Sequence, residues 1–205
     1  KEAAFAMDQR AIGVFDSGVG GLTVAQSLIE LLPGERIVYF GDTARVPYGS
    51  KSKNTIIRFA EENTRFLLSK DVKCVVVACN TATAIALPHL QETFRVPIIG
   101  VVTPGAARAV SATRNRRIGV IGTMRTVTSG AYSEAITEME PQAEVYARAC
   151  PLFVPLIEEN WIGHEATRLV VREYLDELVA RGIDTLVLGC THYPLLSEVI
   201  AEIMG

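Results

Sequence analysis

The chain alternates short apolar runs with helix-period segments, and it does so twice. The first pass reads AIGVF then LTVAQSLIELL, RIVYF then NTIIRFAEENTRFLLSK, KCVVVA then ATAIALPHLQETF, and closes on VPIIGVV. From Arg117 the rhythm restarts with RIGVIGT, a helical stretch through TSGAYSEAITEM, AEVYARA, a long helix over 166–182, DTLVLGC and PLLSEVIAEIM. Strands alternating with helices of this length predict βα units, hence an α/β fold of mostly parallel sheets flanked by helices. Landmarks recur in order: Ile12-Gly13-Val14 and Ile118-Gly119-Val120, Val46-Pro47 and Val154-Pro155, Cys79 and Cys190. Ordered recurrence at expected strand ends predicts a duplication. The chain is therefore divided into two pseudo-symmetric domains, 11–103 and 104–205, with Thr103-Pro104-Gly105 as the crossover.

The recurrence is sharpest at VVVACNTAT, 75–83, and LVLGCTHYP, 186–194. Each is a β-branched run that stops at a small residue and a cysteine before a helical pattern begins. A cysteine at a helix N-terminus meets a partial positive charge that favours thiolate over thiol. Ligands of open α/β sheets bind beyond the carboxyl ends of the strands. Asp16-Ser17, Asp42, Tyr48-Gly49, Cys79-Asn80-Thr81, Thr123, Glu158 and Cys190-Thr191-His192 all fall at such expected ends. Two facing domains then enclose one cleft with a cysteine on each wall. Opposed thiols suit a reaction that removes a proton from one face of a carbon and returns one to the other.

Composition narrows the alternatives. A net charge of -3 carries no signal for nucleic acid, and the cluster Arg114 to Arg117 reads as a solvated turn. No apolar run reaches membrane-spanning length and no signal peptide is evident, so a cytoplasmic setting is expected and Cys74, Cys79, Cys150 and Cys190 should be free thiols. Cys74 and Cys150 read as core filler. The first ten residues read as a disordered leader or an artificial extension.

Other residues keep two readings. DSGVGGLT, 16–23, resembles a dinucleotide loop but has Thr23 where the third glycine belongs, and Asp16 would repel phosphate. Asp16 is either a helix cap or a group that binds an ammonium or manages the Cys79 proton. Tyr48 and Gly49 form either a plain turn or a binding element, and Thr123 and Thr126 either cap a helix or bind. Glu158 and His192 are candidate partners of Cys190. Zinc held by Cys79, Cys190 and His192 is the metal alternative, but no C-x-x-C pair supports it, so no metal is expected. No motif calls for a cofactor.

DSGVGGLTV, GDTARVPYG, ACNTATA, GTMRTVTSGAY, CPLFVPLIEE and GCTHYPLL together resemble the motif series of the bacterial glutamate racemases, in order and from about Ile12 onward. The resemblance implies cofactor-independent interconversion of L- and D-glutamate, supplying D-glutamate for peptidoglycan, by a homodimer without nucleic-acid or membrane partners. It implies that Cys79 acts on the D-enantiomer with help from Asp16. Cys190 would act on the L-enantiomer with help from Glu158 and His192. Substrate carboxylate and ammonium groups would be held by Asp16, Ser17, Tyr48, Gly49 and Asn80 on one side. Thr81, Thr123, Thr126, Thr191 and His192 would complete the set. Rival readings are a racemase of aspartate or another acidic amino acid, a small-ligand or protein-binding module, and a thiol redox protein. The first pass runs on to a strand after its cysteine helix and the second does not. The resemblance implies family members that continue past Gly205 and return to the first domain, so a truncated chain is expected.

Overall fold

The computed structural model describes residues 8–205. The leader expected at the N-terminus lies, for residues 1–7, outside the described residues. Strand β1 (Ala11–Asp16), α1 (Leu22–Leu31), β2 (Ile37–Gly41), a 3-10 turn at Tyr48–Ser50, α2 (Lys53–Leu68), β3 (Val72–Val77), α3 (Asn80–Thr93) and β4 (Ile98–Gly100) form the first half. The second half comprises α4 (Val102–Ala112), β5 (Arg117–Gly122), α5 (Met124–Thr128), α6 (Ala131–Met139), β6 (Glu144–Ala149), α7 (Phe153–Glu158), α8 (Glu165–Ala180) and β7 (Thr185–Gly189). A 3-10 turn at Tyr193–Leu196 and α9 (Ser197–Met204) complete it. No described helix is long and apolar enough to cross a membrane.

Both sheets are parallel, ordered β2-β1-β3-β4 and β6-β5-β7. The two recurrent Ile-Gly-Val segments lie on equivalent central strands: Val14 pairs with Tyr39 and Val76, and Val120 with Ala147 and Val187. A strand buried on both faces needs a nearly continuous apolar run, which is how these central strands read. Phe15, Val75 and Val77 pack with Ile56 and Leu67 of α2, while Ile12, Val14 and Val76 meet Val24 and Leu28 of α1. In the second half Ile121 packs with Phe153, Leu175 and Tyr193, and Ile118 and Val120 with Val102 and Ile136.

Several local expectations change. VPIIGVV yields only a three-residue strand, since Val101 already caps α4. Thr103-Pro104-Gly105 is not a loop but lies at the start of α4, where a proline costs no helical hydrogen bond. Val154-Pro155 likewise opens α7 instead of ending a strand, and Glu158 is the last residue of that helix. The helix expected through TSGAYSEAITEM starts only at Ala131 as α6, because Gly130 at φ 75° breaks the path from α5, which ends at Thr128. Arg114–Arg117 is exposed as expected, its turn organised by Asp184, which accepts from the Arg114 and Asn115 amides.

Helix α8 offers a test of the packing. Leu175 is fully buried and Leu169, on the same helix, is 61% exposed. Leu175→Ala should cost about 2–5 kcal/mol and Leu169→Ala less than about 0.5 kcal/mol, read from the urea unfolding midpoints.

Candidate active site

Strands β1 and β3 deliver Asp16 and Cys79 side by side. Cys79 is the N-cap of α3, its Sγ accepting from the Ala82 amide at 3.4 Å and donating toward Ser17 Oγ at 3.6 Å. Cys190 follows β7, but what comes next is a 3-10 turn and not a regular helix, so the two cysteine segments are not exact copies. The backbone amides of His192 and Tyr193 face its sulfur instead. Cys79 and Cys190 line one cleft, one from each sheet, with Ser17, Tyr48, Gly49, Asn80, Thr81, Thr123, Thr191 and His192.

Three of the expected residues stand behind the lining. Asp16 is fully buried, accepting from the amides of Gly18 at 3.0 Å and Gly21 at 3.1 Å through Oδ2. Its Oδ1 accepts from the Thr191 hydroxyl at 3.2 Å, so this carboxylate joins the two halves and is not a partner of Cys79 alone. Thr126 sits below Thr123, whose side chain caps α5 by accepting from the Thr126 amide. Thr81 reaches across from the first half to both, at 2.8 Å from Thr123 Oγ1 and 3.2 Å from Thr126 Oγ1. Glu158 Oε1 lies 2.5 Å from His192 Nε2, and His192 Nδ1 faces Cys190 Sγ at 3.9 Å, so Glu158 addresses the cysteine through the imidazole. Close approach of the halves also requires Gly49, where a methyl group would stand 2.5 Å from Thr123 Cβ.

Sequence reasoning missed the apolar part of the wall as binding surface: Val46, Pro47 and Val154 line the cleft. The Val-Pro pairs drew attention only as repeats. It also missed the support under Tyr48, whose hydroxyl contacts Asp42 and accepts from Asn63 Nδ2 at 2.9 Å. Arg45 Nε donates to both Asp42 oxygens, at 2.9 and 2.7 Å. The Tyr48 hydroxyl is thus engaged by this network, and the residue serves the cleft with its ring and backbone. Among the described residues no lysine or arginine lines the cleft, so an anionic group there meets hydroxyls, amides and the α3 terminus. No group of three or more His, Cys, Asp or Glu among the described residues is placed to hold a metal ion.

The electrostatics depart from the sequence expectation. The α3 amide at Ala82 does favour the Cys79 thiolate, but burial outweighs it, and with the nearby Asp16 charge pushes this thiol up to about 12. Burial also raises Cys190, opposed by the His192 and Tyr193 amides and reinforced by the charges of Cys79 and Asp16. Both cysteines are thiols at neutral pH. Burial raises the Asp16 carboxyl as well, against the opposing hydrogen bonds from Gly18 and Gly21. Each wall thus has a thiol beside a group able to take or give a proton.

Residues 12–205 match the family described as Asp/Glu/Hydantoin racemase, and the chain belongs to that family. A glutamate racemase from Geobacter metallireducens is 56% identical over 199 residues, covering 97% of this chain and 74% of that protein. The crystal structure of a glutamate racemase from Bacillus anthracis superposes with a TM-score of 0.92 at 44% identity, covering 96% of this chain and 74% of that one. A glutamate racemase from Francisella tularensis in complex with D-glutamate gives a TM-score of 0.90 at 45% identity, with 97% and 74% covered.

The thiol electrostatics can be read by alkylation. Iodoacetamide labelling of Cys79, followed by mass spectrometry, should accelerate about tenfold per pH unit through pH 10, whereas the urea-unfolded chain levels off near the ordinary cysteine range of about 8.5. A native plateau near pH 8 would show a thiolate already formed.

Proposed function

We propose that this chain interconverts L- and D-glutamate without a cofactor, by a two-base reaction that supplies D-glutamate for peptidoglycan synthesis. The observation that carries this is the placement of Cys79 and Cys190, from equivalent strands of the two sheets, on one cleft. Membership of the racemase family and the likeness to glutamate racemases, one of them 56% identical, support it. Domains 11–103 and 104–205 provide one wall each. The cytoplasmic setting expected from the sequence and the homodimer implied by the family resemblance belong to the same proposal; sedimentation velocity tests the dimer.

The reaction runs as follows for the D-enantiomer. Cys79, as thiolate, takes the Cα proton, and the electron pair left on carbon spreads into the adjacent carboxylate. Cys190, as thiol, then donates its proton to the opposite face, giving L-glutamate and a Cys190 thiolate. The L-enantiomer uses the same steps with roles exchanged. Because burial holds both sulfurs as thiols, one must lose a proton before it can act as the base. The substrate ammonium provides a nearby positive charge that favours thiolate. Asp16, near Cys79, and the His192–Glu158 pair, near Cys190, are placed to accept that proton.

Charge grows on the substrate carboxylate as the Cα–H bond breaks. Donors fixed in advance and buried stabilise that charge more than they stabilise the ground state. Ser17, Asn80, Thr81, Thr123 and Thr191 supply neutral donors around the cleft, and Tyr48, Gly49, Thr126 and His192 complete the binding set. The enantiomers are equally stable, so kcat/KM must be equal in the two directions and the loss of either thiol must stop both.

Cys79→Ser and Cys190→Ser should each lower kcat/KM for both enantiomers by on the order of 10³-fold or more, followed by circular dichroism of glutamate. The fold should be retained. Near wild-type racemisation by either variant contradicts the two-thiol reaction, and faster turnover of aspartate than glutamate overturns the substrate assignment.

A further inference from the structure

Asn80 lines the cleft as the first residue of α3, yet its side chain is held from the other half of the chain. Tyr132, in the first turn of α6, is buried, and its hydroxyl donates to Asn80 Oδ1 at 2.6 Å. A carboxamide whose oxygen is engaged this way has its NH2 group committed to the other side. The ring is seated between two glycines. A methyl group on Gly105, in α4, would stand 3.1 Å from Tyr132 Oη and 3.2 Å from Cε1. One on Gly189, the last residue of β7, would stand 3.2 Å from Cε2. Tyr132 therefore leans on the residue before Cys190 while bonding the residue after Cys79. The bend at Gly130, φ 75°, starts α6 and delivers the tyrosine to this slot.

We propose that Tyr132 is a positioning residue for racemisation, fixing the Asn80 amide as a donor and tying its placement to the strand end that carries Cys190. This rests on the glutamate racemase reading above. Without the hydroxyl, Asn80 Oδ1 loses its partner and the amide is free to turn over, presenting an oxygen where an anionic carboxylate gathers charge. The carboxylate gathers that charge whichever cysteine removes the proton. The loss therefore falls in kcat in both directions more than in KM.

The test is a double-mutant cycle on kcat and KM for both enantiomers, using wild type, Tyr132→Phe, Asn80→Ala and the double variant, with thermal unfolding as a check of fold. Tyr132→Phe should lower kcat about tenfold in each direction while KM changes less, and should cost nothing further in the Asn80→Ala background. Equal losses in the two backgrounds, or a Tyr132→Phe variant within twofold of wild type, overturn the proposal and leave the racemase reading standing. If Tyr132→Phe fails to fold, Gly105→Ala presses on the same ring and should give a kcat loss that also vanishes with Asn80→Ala; an unchanged kcat there is equally contrary. A wild-type chain without glutamate racemisation overturns the functional reading, and this inference with it.

Discussion

Asp16 is a fully buried carboxylate that satisfies the amides of its own loop with one oxygen and the Thr191 hydroxyl of the opposite half with the other. A buried carboxylate is tolerated only where hydrogen bonds replace its water. Here part of that replacement comes from across the cleft, so the halves must meet at the strand ends for the charge to be accommodated. The same closeness sets the Thr81, Thr123 and Thr126 hydroxyls against one another and needs Gly49 to lack a side chain. Cleft geometry and the burial of a titratable group are one constraint.

That constraint explains the state of the thiols. A helix terminus alone would make Cys79 reactive, but the buried setting that excludes water from the cleft penalises every charge within it. Two thiolates beside Asp16 would be three negative charges in one dry space. Both sulfurs are therefore held as thiols, and a positive charge close to one of them is what favours its thiolate.

The parallel sheets, their duplication and both cysteine positions were legible because a buried strand needs an unbroken β-branched run and because the pattern occurs twice. Val154-Pro155 and Thr103-Pro104-Gly105 misled because proline suits a turn and the first turn of a helix equally well. The raised thiols were not legible, since a motif shows which dipole is near but not how much water has been removed. Tyr132 ends the GTMRTVTSGAY motif but drew no role of its own: a tyrosine on a helical period looks like core, and only the fold brings it to Asn80. Asp16 and Glu158 were expected from the sequence as carboxylates near the cysteines. That the first bonds to both halves and the second contacts His192 rather than the cysteine is visible only in the fold.

The central claim is that two different thiols serve the two faces of one carbon. Each starting enantiomer, incubated separately in deuterium oxide, should at the earliest measurable conversion yield product carrying deuterium at Cα while the remaining substrate keeps its protium. The abstracting thiolate returns the proton it took, whereas the opposite thiol delivers one equilibrated with solvent. Product that retains the substrate's own protium would show a single base acting on both faces and would contradict the account.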